Sequence, residues 1–134
     1  MRGTRQFPNS IGLKETEGAF GPVVELWVDG LIVTDGEEQA ALPRDEAVVL
    51  APGWVGCAIS LPYHYRDAGT AVPIATCNCG IYGCGGLSVT VTSEPQHVVW
   101  TVCDPWGTPI GTTWRFERQQ LCRAIERATG VSVQ

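Results

Sequence analysis

The sequence predicts a mainly β protein of the α+β class: an antiparallel sheet or sandwich with one C-terminal helix packed on it, spanning residues 1–134 as a single domain. Three observations carry that expectation. Short runs rich in valine, isoleucine, threonine and tryptophan recur along the chain, each bounded by glycine or proline. The 16 glycines and 9 prolines favour many turns over long helices. Helix formers with an apolar stripe gather near the C-terminus. A chain of 134 residues removes roughly two-thirds of its unfolded surface from water on folding, and no internal repeat or linker divides it.

Taken in order, the opening to about Gly21 reads as polar. Residues 23–28, the turn signal Asp29-Gly30 and residues 31–34 read as a hairpin. Residues 35–39 form an acidic loop, residues 46–51 a strand ended by Pro52-Gly53, and residues 54–61 a buried strand limited by Pro62, in which Cys57 packs as a small hydrophobe. Residues 63–69 mix aromatics with ionisable groups and read as a loop. Residues 87–92 and 97–103 form the best-defined hairpin, with residues 93–96 as its turn. Pairing Thr92 with His97 sets Val91 against Val98, Val89 against Trp100 and Leu87 against Val102, which makes one face wholly apolar. Ser88, Thr90, Thr92, Thr101 and Cys103 fall on the other face. Residues 104–109 are a turn and residues 112–116 a last strand. The helix covers residues 117–128, with Leu121, Ile125 and Ala128 on one face, Cys122 beside them and Gly130 closing it.

One stretch is not explained by folding. Cys77-Asn78-Cys79-Gly80-Ile81-Tyr82-Gly83-Cys84, followed by Gly85-Gly86, is too rich in glycine for a helix and too small in its side chains for an ordinary strand. Three thiolates at this spacing read as a zinc knuckle, since zinc takes four ligands in a tetrahedron and binds sulfur at about 2.3 Å. The register above sets Gly86 opposite Cys103, so Cys103 is the expected fourth ligand beside Cys77, Cys79 and Cys84. His97 is the reserve. A disulfide between Cys84 and Cys103 uses the same proximity. Four protein ligands leave no open position, so the expected role of the zinc is structural.

Charge narrows the partners. Residues 1–50 carry nine acids against four bases and the remainder five of each, for a net charge of −5. Such a surface repels phosphate backbones and anionic lipid, so neither nucleic acid nor membrane is expected, and a basic protein is the complement. Asp35, Glu37 and Glu38 in the acidic loop and Trp106 in a Pro/Gly-rich turn are the expected contacts, although acids of this kind also simply solvate loops. The start has two arginines but no apolar run behind them, so no secretory signal or membrane span is expected and the compartment read from it is the cytoplasm. His64 and His97, with Asp67 or Asp104, make no recognisable catalytic motif, and the zinc-deaminase signature is missing.

The knuckle Cys77-Asn78-Cys79-Gly80-Ile81-Tyr82-Gly83-Cys84, the hairpin with a central tryptophan behind it, the Phe116-Glu117-Arg118 helix start and Trp27-Val28-Asp29-Gly30 resemble small uncharacterised bacterial proteins with a Cys-x-Cys-Gly-x-x-Gly-Cys signature. The likeness covers about half the chain and departs at Gly85-Gly86, where bulkier residues are expected. It implies a bacterial or phage origin and a shared fold, with no activity attached. The leading expectation is therefore a non-catalytic, cytoplasmic protein-binding protein, of the kind in which an immunity protein inhibits a basic toxin. A small metal-dependent hydrolase and a glycan-binding β domain using exposed tryptophans are the alternatives.

Overall fold

Among the described residues an eight-stranded sheet curls into a half-barrel, and two helices share its core. The computed structural model describes residues 8–19, 21–34, 40–56, 71–76 and 86–133. The strands are β1 (Ile11–Gly18), β2 (Gly21–Val28), β3 (Leu31–Ile32), β4 (Ala40–Pro43), β5 (Ala71–Thr76), β6 (Leu87–Ser93), β7 (His97–Cys103) and β8 (Pro109–Glu117). The helices are α1 (Arg44–Trp54) and α2 (Arg118–Thr129). Neighbours run β1-β2-β4-β5-β6-β7-β8, all antiparallel, with β3 also on β2. The expected β-rich fold with a C-terminal helix is what forms. Among the described residues no helix is long and apolar enough to cross a membrane.

The Asp29-Gly30 turn forms as expected. Both residues have positive φ, 52° and 81°, the backbone that lets a two-residue loop match the twist of its strands. β1, by contrast, replaces the expected polar opening. Ile11 and Leu13 turn toward the core while Lys14 pairs with Glu25 on the outer side, so a strand with few apolar residues is held by its neighbour's apolar face.

A helix stands where a strand was expected at residues 46–51. Ala47, Leu50, Ala51 and Trp54 are buried at helical spacing, and α1 runs past Pro52 to Trp54. Proline inside a helix costs about 3 kcal/mol. The offset is Trp54, which is 2 % exposed, donates its indole N–H to the Pro73 carbonyl at 2.9 Å and accepts the Trp100 indole N–H on its own carbonyl at 2.8 Å. Trp100 stands edge-on to Phe116, ring centres 5.0 Å apart. The expected strand at residues 54–61 thus begins as the end of a helix, and residues 57–61 lie outside the described residues.

The hairpin of β6 and β7 has the expected faces in a register displaced by two residues. Val89 pairs with Val102, Val91 with Trp100 and Ser93 with Val98. Glu94 N–H donates to the His97 carbonyl at 2.8 Å, so the loop is Pro95-Gln96 and the expected four-residue turn is two residues shorter. A shift of two leaves every side chain on its face, because the strand period is two. The same core side is filled by Leu121, Cys122, Ile125 and Ala128 of α2, whose end is closed by Gly130 at φ 77°.

The curl is fastened at its edge. Asn9 N–H donates to the Arg115 carbonyl at 2.7 Å, the Asn9 side-chain oxygen accepts the Arg115 N–H at 2.9 Å, and its amide nitrogen donates to Asp29 at 2.7 Å. One buried asparagine therefore joins β8 to the turn after β2. Replacing Trp100 by Phe leaves the Trp54 carbonyl without its donor and should lower the unfolding free energy by about 1–3 kcal/mol in urea titration. Trp106→Phe, a surface change, should stay within about 0.5 kcal/mol of the parent.

Candidate functional site

The cysteine segment is bounded by a stem that the described residues define. β5 ends at Thr76 and β6 begins at Leu87, which pairs with Ala75. Gly86 holds φ at 104°, and a Cβ there would lie 2.4 Å from the Ala75 carbonyl oxygen and 3.0 Å from the Thr76 carbonyl carbon. Only glycine fits such a backbone approach. The sheet thus brings the chain entering residue 77 beside the chain leaving residue 85. Cys77, Cys79 and Cys84 themselves lie outside the described residues, as do Cys57, His64 and Asp67. Among the described residues no cluster of three or more histidine, cysteine or acidic side chains is placed to hold a metal ion.

Cys103 is described, and its position differs from the expectation. It pairs with Ser88, where Gly86 was expected, which sets it one two-residue step, about 7 Å, deeper into the sheet. It remains on the strand next to the stem. The side chain is fully buried, its sulfur 3.5 Å from the Thr101 carbonyl oxygen. Burial pushes its thiol pKa up and the Asp104 charge adds to that rise, while hydrogen bonding with Thr90 opposes both. His97, the reserve ligand, is at the far end of β7 opposite Glu117. Cys122 is a core residue of α2, as expected, and burial raises its pKa also.

The turn from β7 to β8 is the other exposed part of this neighbourhood. The Asp104 carboxylate accepts from the N–H groups of Trp106 at 2.9 Å and Thr108 at 3.0 Å. Its backbone accepts from Gly107 at 3.0 Å and donates to Thr108 at 2.9 Å, and Ser88 Oγ donates to the Asp104 carbonyl at 2.7 Å. On this framed turn Trp106 is 73 % exposed, and Ile110 just beyond it is 52 % exposed. The expectation that Trp106 is the exposed tryptophan holds; Trp54 and Trp100 are core and Trp27 and Trp114 half-buried. Ile110 had no place in the sequence reading, although the uncharged run from Pro105 to Trp114 marks it.

Asp35, Glu37 and Glu38 lie outside the described residues, but the segment that carries them is bounded by Thr34 and Ala40, and Ala40 pairs with Thr76. At the opposite end of the sheet, a hollow of about 340 Å³ is lined by Pro95, Gln96, Glu117, Arg118 and Gln119. Arg118 is engaged there by Ser93 and the Glu94 carbonyl. Comparison with protein families, curated proteins and solved structures gave no match.

Gly86→Ala should cost about 2–4 kcal/mol, from the positive φ together with the clash at the Ala75 carbonyl. A melting-temperature loss of several degrees checks it, with Gly30→Ala as the comparison, since nothing lies within 4 Å of a Cβ there.

Proposed function

We propose that this chain is a non-catalytic, cytoplasmic protein-binding protein whose knuckle is held by a structural zinc ion and whose partner is a basic protein, in the manner of an immunity protein facing a toxin. One observation carries the reading: the strand order brings the start of β4 at Ala40, the end of β5 at Thr76, the start of β6 at Leu87 and the end of β7 at Cys103 to one end of the sheet. The acidic segment, the cysteine segment and the Trp106 turn therefore spring from neighbouring strand ends.

Cys77, Cys79, Cys84 and Cys103 would hold the zinc, which when bound supplies cross-linking of the thiolates with no open position for substrate. The pinched stem suits such a group, because it already closes the ends of the segment. Cys103 would join from the adjoining strand, and its depth beside Ser88 makes it the ligand whose replacement is most informative. The acids and Trp106 would meet the partner around that clasp, as charge complementarity and a large aromatic anchor do at protein interfaces.

Reduced protein should carry stoichiometric zinc by elemental analysis, and Cys77→Ser, Cys79→Ser and Cys84→Ser should each lose it and lower the melting temperature. Cys103→Ser should lose it too; full retention in that variant removes Cys103 from the set. Metal-free protein that is folded and reduced would overturn the zinc reading. For the partner, a salt-sensitive complex with a basic protein encoded beside this one is expected in gel filtration, and its absence with every such candidate would sink the assignment.

A further inference from the structure

Exposed tryptophans in flexible loops are unremarkable, but Trp106 is displayed on a turn that its own backbone and one carboxylate hold fixed. Gly107 at φ 90° completes that turn, and Ile110 follows within the same uncharged run. From Pro105 to Trp114 the chain has no charge; the run is flanked by Asp104 and Arg115, and the charge nearest to Trp106 in sequence is the acid Asp104. Among the described residues the basic side chains are elsewhere: Lys14 on β1, Arg44 at the start of α1, Arg115 on the far half of β8, and Arg118, Arg123 and Arg127 on α2. Two exposed apolar side chains, Trp106 and Ile110, are thus offered at low ordering cost beside an acid, in a chain of net charge −5.

We infer that the turn from Asp104 to Ile110 is the anchor that receives an arginine or lysine of the basic partner, an assignment that rests on the protein-binding reading above. The cation lies over the Trp106 ring, its hydrocarbon stem covers Ile110, and the Asp104 charge favours the approach. Because Asp104 is spent on the turn's N–H groups, the aromatic face supplies most of the recognition and the carboxylate keeps that face in place. The fixed turn pays its ordering entropy before the partner arrives.

The test uses the full chain and an oligoarginine peptide as probe, read by amide NMR at low salt. The largest shifts are expected at the amides of residues 104–110 and at the Trp106 indole N–H. Trp106→Ala should weaken binding about three- to thirtyfold, with most of it restored in Trp106→Phe. Shifts centred on α2 or on the hollow by Pro95, or a Trp106→Ala affinity equal to the parent's, would overturn the anchor while leaving a basic partner in place. No binding at low salt would overturn the anchor and the basic partner together.

Discussion

The relay Trp100 to Trp54 to Pro73 is the interaction on which the rest of the fold depends. Each indole N–H is buried and each finds a carbonyl, 2.8 Å and 2.9 Å away. A buried donor left alone costs about 1–3 kcal/mol, so the end of α1 has a single satisfactory seat between β5 and β7. That seat falls at an irregular point of an interior strand. Pro73 has no N–H for the ladder, the pairing of β5 with β6 breaks register between Pro73 and Ala75, and the Pro73 carbonyl is taken by the Trp54 indole. Beyond that irregularity Ala75 meets Leu87, and the stem under the cysteine segment follows from it.

The parts of the fold legible in the sequence were those with a period or a turn signal. Parity in the β6–β7 hairpin was readable because alternation sorts faces, yet the absolute register was not, since a displacement of two residues keeps every face intact. Proline at position 95 decided the matter by forming a tight loop with Gln96, and Cys103 moved two residues relative to Gly86 in consequence. α1 was hidden by two valines and a Pro-Gly pair that imitate a strand end, although Ala47, Leu50, Ala51 and Trp54 already stood at helical spacing. β1 was hidden by its charges, which the outer face of a sheet accommodates. β5 carries a proline, which the break in its pairing with β6 accommodates, and its carbonyl is taken by the indole of Trp54.

Two ends of the half-barrel have different characters. The end holding the Pro95-Gln96 loop and the start of α2 is tied by ion pairs and guanidinium contacts: Glu94 with Arg115 at 3.0 Å, and Arg118 on the Glu94 carbonyl. Arg44 works in the same way nearby, reaching Glu15 at 3.5 Å and the Thr129 carbonyl at the negative end of α2. The end holding the stem and the Asp104 turn is built from backbone approach and local hydrogen bonds. Among the described residues, Arg44, Arg115 and Arg118 are engaged in holding the first end together, and the second presents Asp104 and an exposed indole.

On the proposed reading, magnitudes favour a metal over a disulfide at the knuckle. The nine residues 77–85 include three glycines at positions 80, 83 and 85 and only two large apolar side chains, Ile81 and Tyr82. Fixing a backbone costs about 1–2 kcal/mol per residue, so ordering such a segment would cost on the order of 10–20 kcal/mol, with few large apolar side chains available to oppose it. A disulfide contributes about 2–4 kcal/mol and leaves most of that unmet. Zinc bound by a full ligand set contributes about 10–16 kcal/mol, which is the right size. The stem at Gly86 reduces the requirement further, since closure of the loop ends is already made by the sheet. A clasp of that strength would be matched to holding a surface in shape, and on that reading function is sought on the exposed surface rather than at the metal.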